Sequence, residues 1–359
     1  MDLSIFFAGT AGSVPSARRG LPALLVRRGG EKLLFDCGEG TQRQLLKSVG
    51  LADLDAVYIT HFHADHWLGL PGMLKSLALR ERETPLTVHG PRGLKELVGS
   101  MRPAFGRLPY ELTLVELDPG EAVSGDGYAV HAVPVNHKGK ASFGYALVEE
   151  PRPGHLDPEL AERLGVKPGP DFGRLQRGET VDGVKPEQVM GREREGRKIV
   201  ISGDTAPCET LALAAHAADV LVHEATFLHE ESERAAETLH STARQAAELA
   251  RDAEVRLLAL THISARYAGG EVRDEARAVF ARTEAPRDFD TIEVPFPERG
   301  GAHLERWADR QARERAAAEG GGQAAAVAQA AEGNGAEASR AEGGAGVEVG
   351  SGAQAGAGA

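Results

Sequence analysis

Cysteine is nearly absent from this chain, with Cys37 and Cys208 the only two among 359 residues. Two thiols cannot build a disulfide framework, although a single bridge is allowed. No apolar run approaches the ~18 residues of a membrane-crossing helix. The first residues, MDLSIFFAGTAG, begin with an acid and hold only a short apolar run. The basic start and longer apolar core of a secretory signal are missing. Cytosol is therefore the simplest compartment, and no membrane partner is expected. A basic excess is missing too: 41 Lys and Arg stand against 53 Asp and Glu, a formal charge of −12. From Glu314 onward six acids face two bases, so −4 of this charge belongs to the C-terminal stretch and about −8 to the body. An acidic body has no general field for a polyanion, so any such substrate must be held by metal ions and a local basic patch.

What is present is the composition of an ordinary globular protein. Hydrophobic residues make up 42% and charged residues 26%, enough core for one large domain or two small ones. Short apolar segments closed by glycine turns, LSIFFAG, ALLVRRG and EKLLFDCG, predict strands. LDAVYITHFHADH is an apolar strand running into a histidine cluster, and LGLPGMLKSLALR after it has helical spacing. PLTVHGPRGLKELVGSM repeats strand, turn and helix, and strands resume at LTLVEL, YAVHAVPVNH and SFGYALVEE. The alternation returns with RKIVISGDT, the helix CETLALAAHA, the strand ADVLVHEATF, the helix TARQAAELARDA and the strand VRLLALTH. The helix RDEARAVFART and the strand TIEVPF close the folded body. Two similar halves of mixed strands and helices predict an α/β (α+β) architecture, with sheets in the middle and helices outside. Residues 151–196 differ: proline, glycine and charge are frequent, periodicity is weak, and taken alone the stretch reads as a surface excursion or flexible loop. Residues 308–359 form a low-complexity Ala/Gly-rich tail whose first part has helical composition, with disorder expected from about Gly320.

THFHADHWLGLPG, Thr60 to Gly72, carries the chemistry. A lone histidine on an apolar face is usually a satisfied core residue, but His-x-His at a strand end is different. Alternate residues point the same way, so His61 and His63 can reach one ion, while Asp65 and His66 at the following turn can face a second. Zinc accepts imidazole nitrogen and carboxylate oxygen and keeps a position open for water in catalytic sites. A metal pair needs more ligands, and three candidates close apolar strands downstream: His137, Asp204 and His262. A carboxylate at Asp204 could bridge two ions ~3.5–4 Å apart.

THFHADH resembles the His-x-His-x-Asp-His signature of the metallo-β-lactamase superfamily, whose fold is an αββα sandwich with metals at one sheet edge. FDCGEGTQRQL, THFHADHWLGLPG, HGPRGL, SGDTAPC, HEATF, HST and THISARY resemble, in the same order, segments of ribonuclease Z, the endonuclease family that trims the 3′ end of precursor tRNA. The likeness runs to about Phe296 and implies a catalytic domain over residues 1–307, with 151–196 as an inserted, flexible, protruding exosite arm. It also implies two Zn²⁺ per subunit, with Mn²⁺ as an alternative occupant. His61, His63 and His137 would hold one ion and Asp65, His66 and His262 the other, with Asp204 between. Asp36 would orient a ligand histidine, or else simply cap its turn. The metals would lower the pKa of bound water far below its bulk value of ~15.7, giving the hydroxide that attacks the phosphodiester.

The resemblance further implies that Asp65 handles the nucleophile and that His240, paired with Glu224, gives a proton to the leaving oxygen. The product would keep a tRNA 3′-hydroxyl. His223 is expected to pack beside the site. Without the resemblance, His240 reads as a surface residue before an N-cap at Ser241 or Thr242. Ser264 and Arg266 could hold a substrate phosphate, with a surface ion pair as the bland reading of Arg266. In the arm, Gly169, Pro170, Gly173 and Leu175 match the family's Gly-Pro-x-x-Gly-x-Leu pattern and become candidate RNA contacts. The arm's bases, Arg163, Lys167, Arg174, Arg177 and Lys185, are interleaved with Asp171, Glu179 and Asp182. In GTAGSVPSARRGL, Arg18 and Arg19 are phosphate contacts or solvated charges. The family also implies a homodimer in which one subunit's arm serves the other's site. The alternative function is a phosphodiesterase or esterase of the same fold acting on a small substrate. A third is a non-catalytic RNA-binding protein on a dead hydrolase fold.

Overall fold

The computed structural model describes residues 1–51, 53–139 and 141–317. The chain divides into two units, Met1–Arg306 and Trp307–Ala359. In the second, residues 307–317 are helical; the disorder expected from about Gly320 lies outside the described residues. No helix among the described residues is long and apolar enough to cross a membrane.

Within the first unit, the strands form two sheets packed face to face. One runs His303–Glu305, Thr291–Glu293, Leu3–Gly9, Ala23–Arg28, Glu31–Phe35, Ala56–Tyr58, Leu86–Pro91, Leu112–Leu117. The other runs Thr283–Glu284, Leu258–Thr261, Val220–Glu224, Lys198–Ile201, Phe143–Glu149, Tyr128–Pro134, Ala122–Gly125. Strand parity explains the layering. In Leu3–Gly9 every residue is buried: Leu3, Ile5 and Phe7 face the second sheet, while Phe6 and Ala8 face helices. Lys198–Ile201 does the same from the other side, with Ile199 and Ile201 in the inter-sheet core and Val200 under the outer helices. Strands buried on both faces read as continuous apolar runs, not as alternation. Helices Thr41–Ser48, Leu70–Leu79 and Leu94–Ser100 cover the first sheet, and Glu209–Ala215, Ala243–Asp252 and Gly269–Arg277 the second. The result is the αββα sandwich.

Glu31–Phe35 through Leu112–Leu117 are mutually parallel, as are Lys198–Ile201 through Thr283–Glu284. Parallel strands deliver their C-terminal ends to one edge, where ligand-bearing loops collect. Asp36, the Thr60–His66 loop, Asp204, Glu224 and His262 all leave strands at that edge.

Three elements depart from expectation. The helix predicted over RDEARAVFART begins four residues earlier, at Gly269, because the Glu271 carboxylate accepts from the Ala268 amide at 2.9 Å and starts the turn there. The body does not end at TIEVPF, since His303–Glu305 adds an edge strand beyond it. Residues 151–196 are no loop. They form helices Pro158–Arg163, Pro170–Gln176 and Pro186–Val189 around their own core of Ala161, Val166, Leu175, Val181, Val184 and Val189. Pro158, Pro170 and Pro186, three of the prolines that made the stretch look irregular, each open a helix, where a missing N–H costs nothing.

Candidate metal centre and active site

The histidine loop starts two residues after Tyr58 and is held from behind by tight backbone packing. A Cβ on Gly69 would lie 2.0 Å from the Gly38 carbonyl oxygen, so only glycine lets the FDCG turn nest under this loop. From this base the side chains converge on Asp204. Its Oδ2 lies 3.2 Å from His262 Nε2, 3.3 Å from His66 Nε2, 3.7 Å from His61 Nε2 and 3.9 Å from His137 Nε2. Asp65 Oδ2 lies 3.3 Å from His262 Nε2 and 3.6 Å from His66 Nε2. Ligand atoms of His61, His63, His137 and Asp204 fall within 4.8 Å of one another, and so do those of Asp65, His66 and His262.

The donor set fits a divalent cation. His61 Nε2, His66 Nε2 and Asp204 Oδ1 are buried in this cluster without a hydrogen-bond partner. Buried polar atoms are almost always paired, so three orphans converging on one space imply a missing partner. Burial and the neighbouring imidazole of His66 push His61 toward its neutral form, the form that ligates a metal.

Around these ligands lie the groups that orient them. Asp36, buried and at φ 58°, accepts from the Thr60 amide at 2.8 Å and the Thr60 hydroxyl at 2.9 Å, and its Oδ2 is 2.7 Å from His66 Nδ1. It fixes the His66 ring and is more than a turn cap. Asp36→Asn is expected to weaken metal affinity by ~10–100-fold, measured by competition with a chelating dye. His137 Nδ1 donates to the Leu239 carbonyl at 2.8 Å, and the Ser13 amide donates to Asp65 Oδ2 at 2.9 Å.

Glu224 is wholly buried, and its Oε1 lies 2.8 Å from His240 Nδ1. The Thr205 amide at 2.9 Å and the Thr226 amide at 3.2 Å hold the same carboxylate. Burial alone would depress the His240 imidazole; the Glu224 charge outweighs it and raises the pKa to about 9. The His240 ring stacks 5.5 Å from His262 and lies 4.7 Å from His137, so this pair borders the ligand cluster. His223 turns away from it, its Nδ1 bonded to the Glu224 carbonyl at 2.7 Å.

Thr60 and Thr226 escaped the sequence reading. Thr60 Oγ1 is 3.0 Å from His61 Nδ1 as well as touching Asp36, and Thr226 Oγ1 donates to Glu224 and lies 2.8 Å from His262 Nδ1. Their only signal along the chain was a hydroxyl one or two residues from an expected site residue at a strand end. Arg266 pairs with Glu231 at 2.8 Å and touches Ser264 Oγ at 3.3 Å. Arg19 is tied into the frame through Thr10 Oγ1 at 2.6 Å, while Arg18 stays exposed. In the arm, Gly169 (φ 126°) and Pro170 open a helix that contains Gly173. Leu175 is fully buried in the arm core, so its side chain cannot reach RNA while the arm is folded. Cys37 and Cys208 are both free, and burial pushes the Cys37 thiol up to about 12.

The chain matches the Metallo-beta-lactamase superfamily over residues 20–262. It is 44% identical over 302 residues to Ribonuclease Z of Methanosarcina mazei, covering 82% of this chain and 99% of that one. The chain belongs to the ribonuclease Z family. The ribonuclease Z of Haloferax volcanii is 46% identical over 315 residues, covering 85% of this chain and 99% of the relative. Among solved structures, the short form of human tRNase Z superposes with a TM-score of 0.61 at 27% identity, covering 81% of this chain and 99% of that one. A diphosphatase of the PhnP family, at 18% identity and a TM-score of 0.55, shares the fold alone.

Proposed function

We propose that this chain is a zinc-dependent endoribonuclease that cuts the 3′ trailer from precursor tRNA and leaves a 3′-hydroxyl on the tRNA. The observation that carries the reading is the Glu224–His240 pair, 2.8 Å apart, beside two adjoining ligand groups, in a chain of this family. Two cations would be held by His61, His63 and His137 and by Asp65, His66 and His262, with Asp204 between, and manganese would suit the same donors. Such cations, when bound, supply an activated water and neutralise charge on the phosphate oxygens.

The chain's own residues do the rest. Asp65, fixed by the Ser13 amide, orients the attacking water and takes its proton. The bond from phosphorus to the 3′ oxygen breaks in line. His240, kept protonated near neutral pH by Glu224, gives its proton to that oxygen. Product tRNA then carries a 3′-hydroxyl and the trailer a 5′-phosphate. The arm holds the tRNA away from the cut. Arg174 is paired with Glu179 and Asp171, and Arg177 with Glu179, so shape and backbone carry much of that contact, beside exposed Arg163, Lys167 and Lys185. A homodimer would let one subunit's arm serve its partner, and the cytosol is the expected compartment.

The decisive experiment is cleavage of one precursor tRNA by zinc-loaded protein, with the product end mapped. Cutting next to the discriminator base is expected. A variant with residues 156–190 replaced by a short glycine linker should bind that RNA ~100-fold more weakly, about 2.7 kcal/mol. Its turnover of a chromogenic phosphodiester should stay within ~2-fold of wild type. Intact RNA after exposure to loaded protein over a range of salt and pH sinks the proposal. Undiminished RNA cleavage by the shortened variant would favour the small-substrate reading.

A further inference from the structure

Two arginines at the root of the arm converge on one carboxylate of the body. Arg152 enters the arm and Arg194 leaves it, and their backbones pair at 2.7 and 2.9 Å. Both guanidiniums reach Glu298 Oε1 at 2.8 Å, and Arg152 adds Oε2 at 3.2 Å. Glu298 lies in the short turn Pro297–Arg299, which follows the strand Thr291–Glu293 of the first sheet. The preceding residue joins in. The guanidinium carbons of Arg152 and Arg197 lie 3.6 and 3.9 Å from the centroid of the Phe296 ring, close enough that they must take opposite faces. Arg197 is itself anchored on buried Glu149 at 2.7 Å. A continuous path thus runs from the core, through Phe296, to both chains of the arm root.

Further bonds join the two root chains to each other, from Arg194 Nε to the Pro153 carbonyl at 3.0 Å and from the Gly191 amide to the His155 carbonyl at 2.8 Å, but these do not tie the root to the sheet. A Cβ on Gly196 would lie 2.2 Å from the Glu149 carbonyl oxygen, so the two chains lie together without side chains between them. Beyond the Arg152–Arg194 pair the next bridge is Leu156 with Met190. A folded arm on two thin chains is free to swing unless a third element holds it. One exposed ion pair stabilises little. A single carboxylate that engages both chains does more, because it ties their direction to the sheet. The Arg152 hydrogen bond first, then the Glu298 backbone amide and the charges of Arg152 and Arg194, hold that carboxyl down to about 2, so it is charged at any working pH.

We infer that Glu298, seated beside Phe296, is a positioning residue that sets the direction of the arm and thereby acts on RNA binding and not on the cleavage step. The inference rests on the reading of the arm as the RNA-holding segment. Electrostatics alone predicts the opposite sign: deleting an acid from a protein that binds a polyanion should tighten binding. This opposition makes the test sharp.

The comparison is Glu298→Gln against Glu193→Gln, an exposed acid near the root that changes charge equally. For Glu298→Gln, KM for precursor tRNA is expected to rise ~5–20-fold with kcat within ~2-fold, and turnover of a chromogenic phosphodiester should not move. The amides of Arg152 and Arg194 should exchange with deuterium ~10-fold faster. Glu193→Gln should leave KM level or lower, with unchanged exchange. A KM for Glu298→Gln that is unchanged or lowered overturns the inference, and so does unchanged exchange at the two root amides. Wild-type protein that leaves the RNA uncut overturns the functional reading instead, and the exchange result then decides the brace by itself.

Discussion

Asp204→Ala is expected to strip the protein of metal and of nuclease activity together. Asp204 Oδ2 lies within 3.9 Å of five imidazole nitrogens, those of the candidate ligands His61, His66, His137 and His262 and that of His240, so both ligand groups lose their shared anion at once. Removing any other ligand would leave one group whole. Cleavage of precursor tRNA should fall by ~10⁴-fold or more, about 5.4 kcal/mol of transition-state stabilisation. Bound zinc, by elemental analysis, should drop to less than half of the wild-type content. The fold should survive, because Asp204 Oδ1 makes no hydrogen bond and contributes to no frame contact beyond the cluster; the circular dichroism spectrum checks this. Full metal content with activity within tenfold of wild type would refute the assignment of Asp204 as the shared ligand.

Glu149→Leu should give the largest loss of stability. Glu149 is buried between two buried arginines: Arg197 donates from Nε at 2.7 Å and from its other arm at 2.8 Å, and Arg28 donates at 2.9 Å. Removing the carboxylate leaves the Arg197 guanidinium in the interior without a counter-charge and Arg28 with Glu31 at 3.5 Å, a loss of ~3–5 kcal/mol. Urea unfolding at neutral pH measures it, and a loss under ~1 kcal/mol would show that the triad is not a stabilising unit. The pH dependence follows from the charge. Burial would raise the Glu149 pKa, but the two arginines override it and hold the group below its usual value. Its folded pKa is therefore depressed. The stabilisation is complete above the unfolded pKa of about 4.3 and disappears as pH falls through the lower folded value. The gap between wild type and Glu149→Gln should accordingly close on acidification below that range.

Much of the site was legible in the one-dimensional pattern because metal chemistry constrains residue type and position at once. His-x-His at a strand end and acids or histidines closing later strands can be read without coordinates. Local signals also placed most strands, since residues buried on both faces form unbroken apolar runs. The misses have a common cause. Thr60 and Thr226 look like ordinary strand-end threonines, and their hydroxyls gain meaning only from Asp36, His262 and Glu224, which neighbouring strands supply. The arm looked irregular because half of its prolines open short helices, and its core of six buried apolar residues is too sparse for a visible period. Arg152 and Glu298 are 146 residues apart, and nothing local joins them.

Which residues can bind a cation, which segments can be strands and to which family the chain belongs are legible along the chain, because they depend on side-chain chemistry and short-range order. The packing of distant segments is what makes Asp204 the common neighbour of five imidazoles, brings the Glu224 carboxylate to His240, and buries the Leu175 side chain in the arm core. Each is a matter of distance between segments far apart in the chain. Such distances are set by the packing of two sheets, which no stretch of sequence contains.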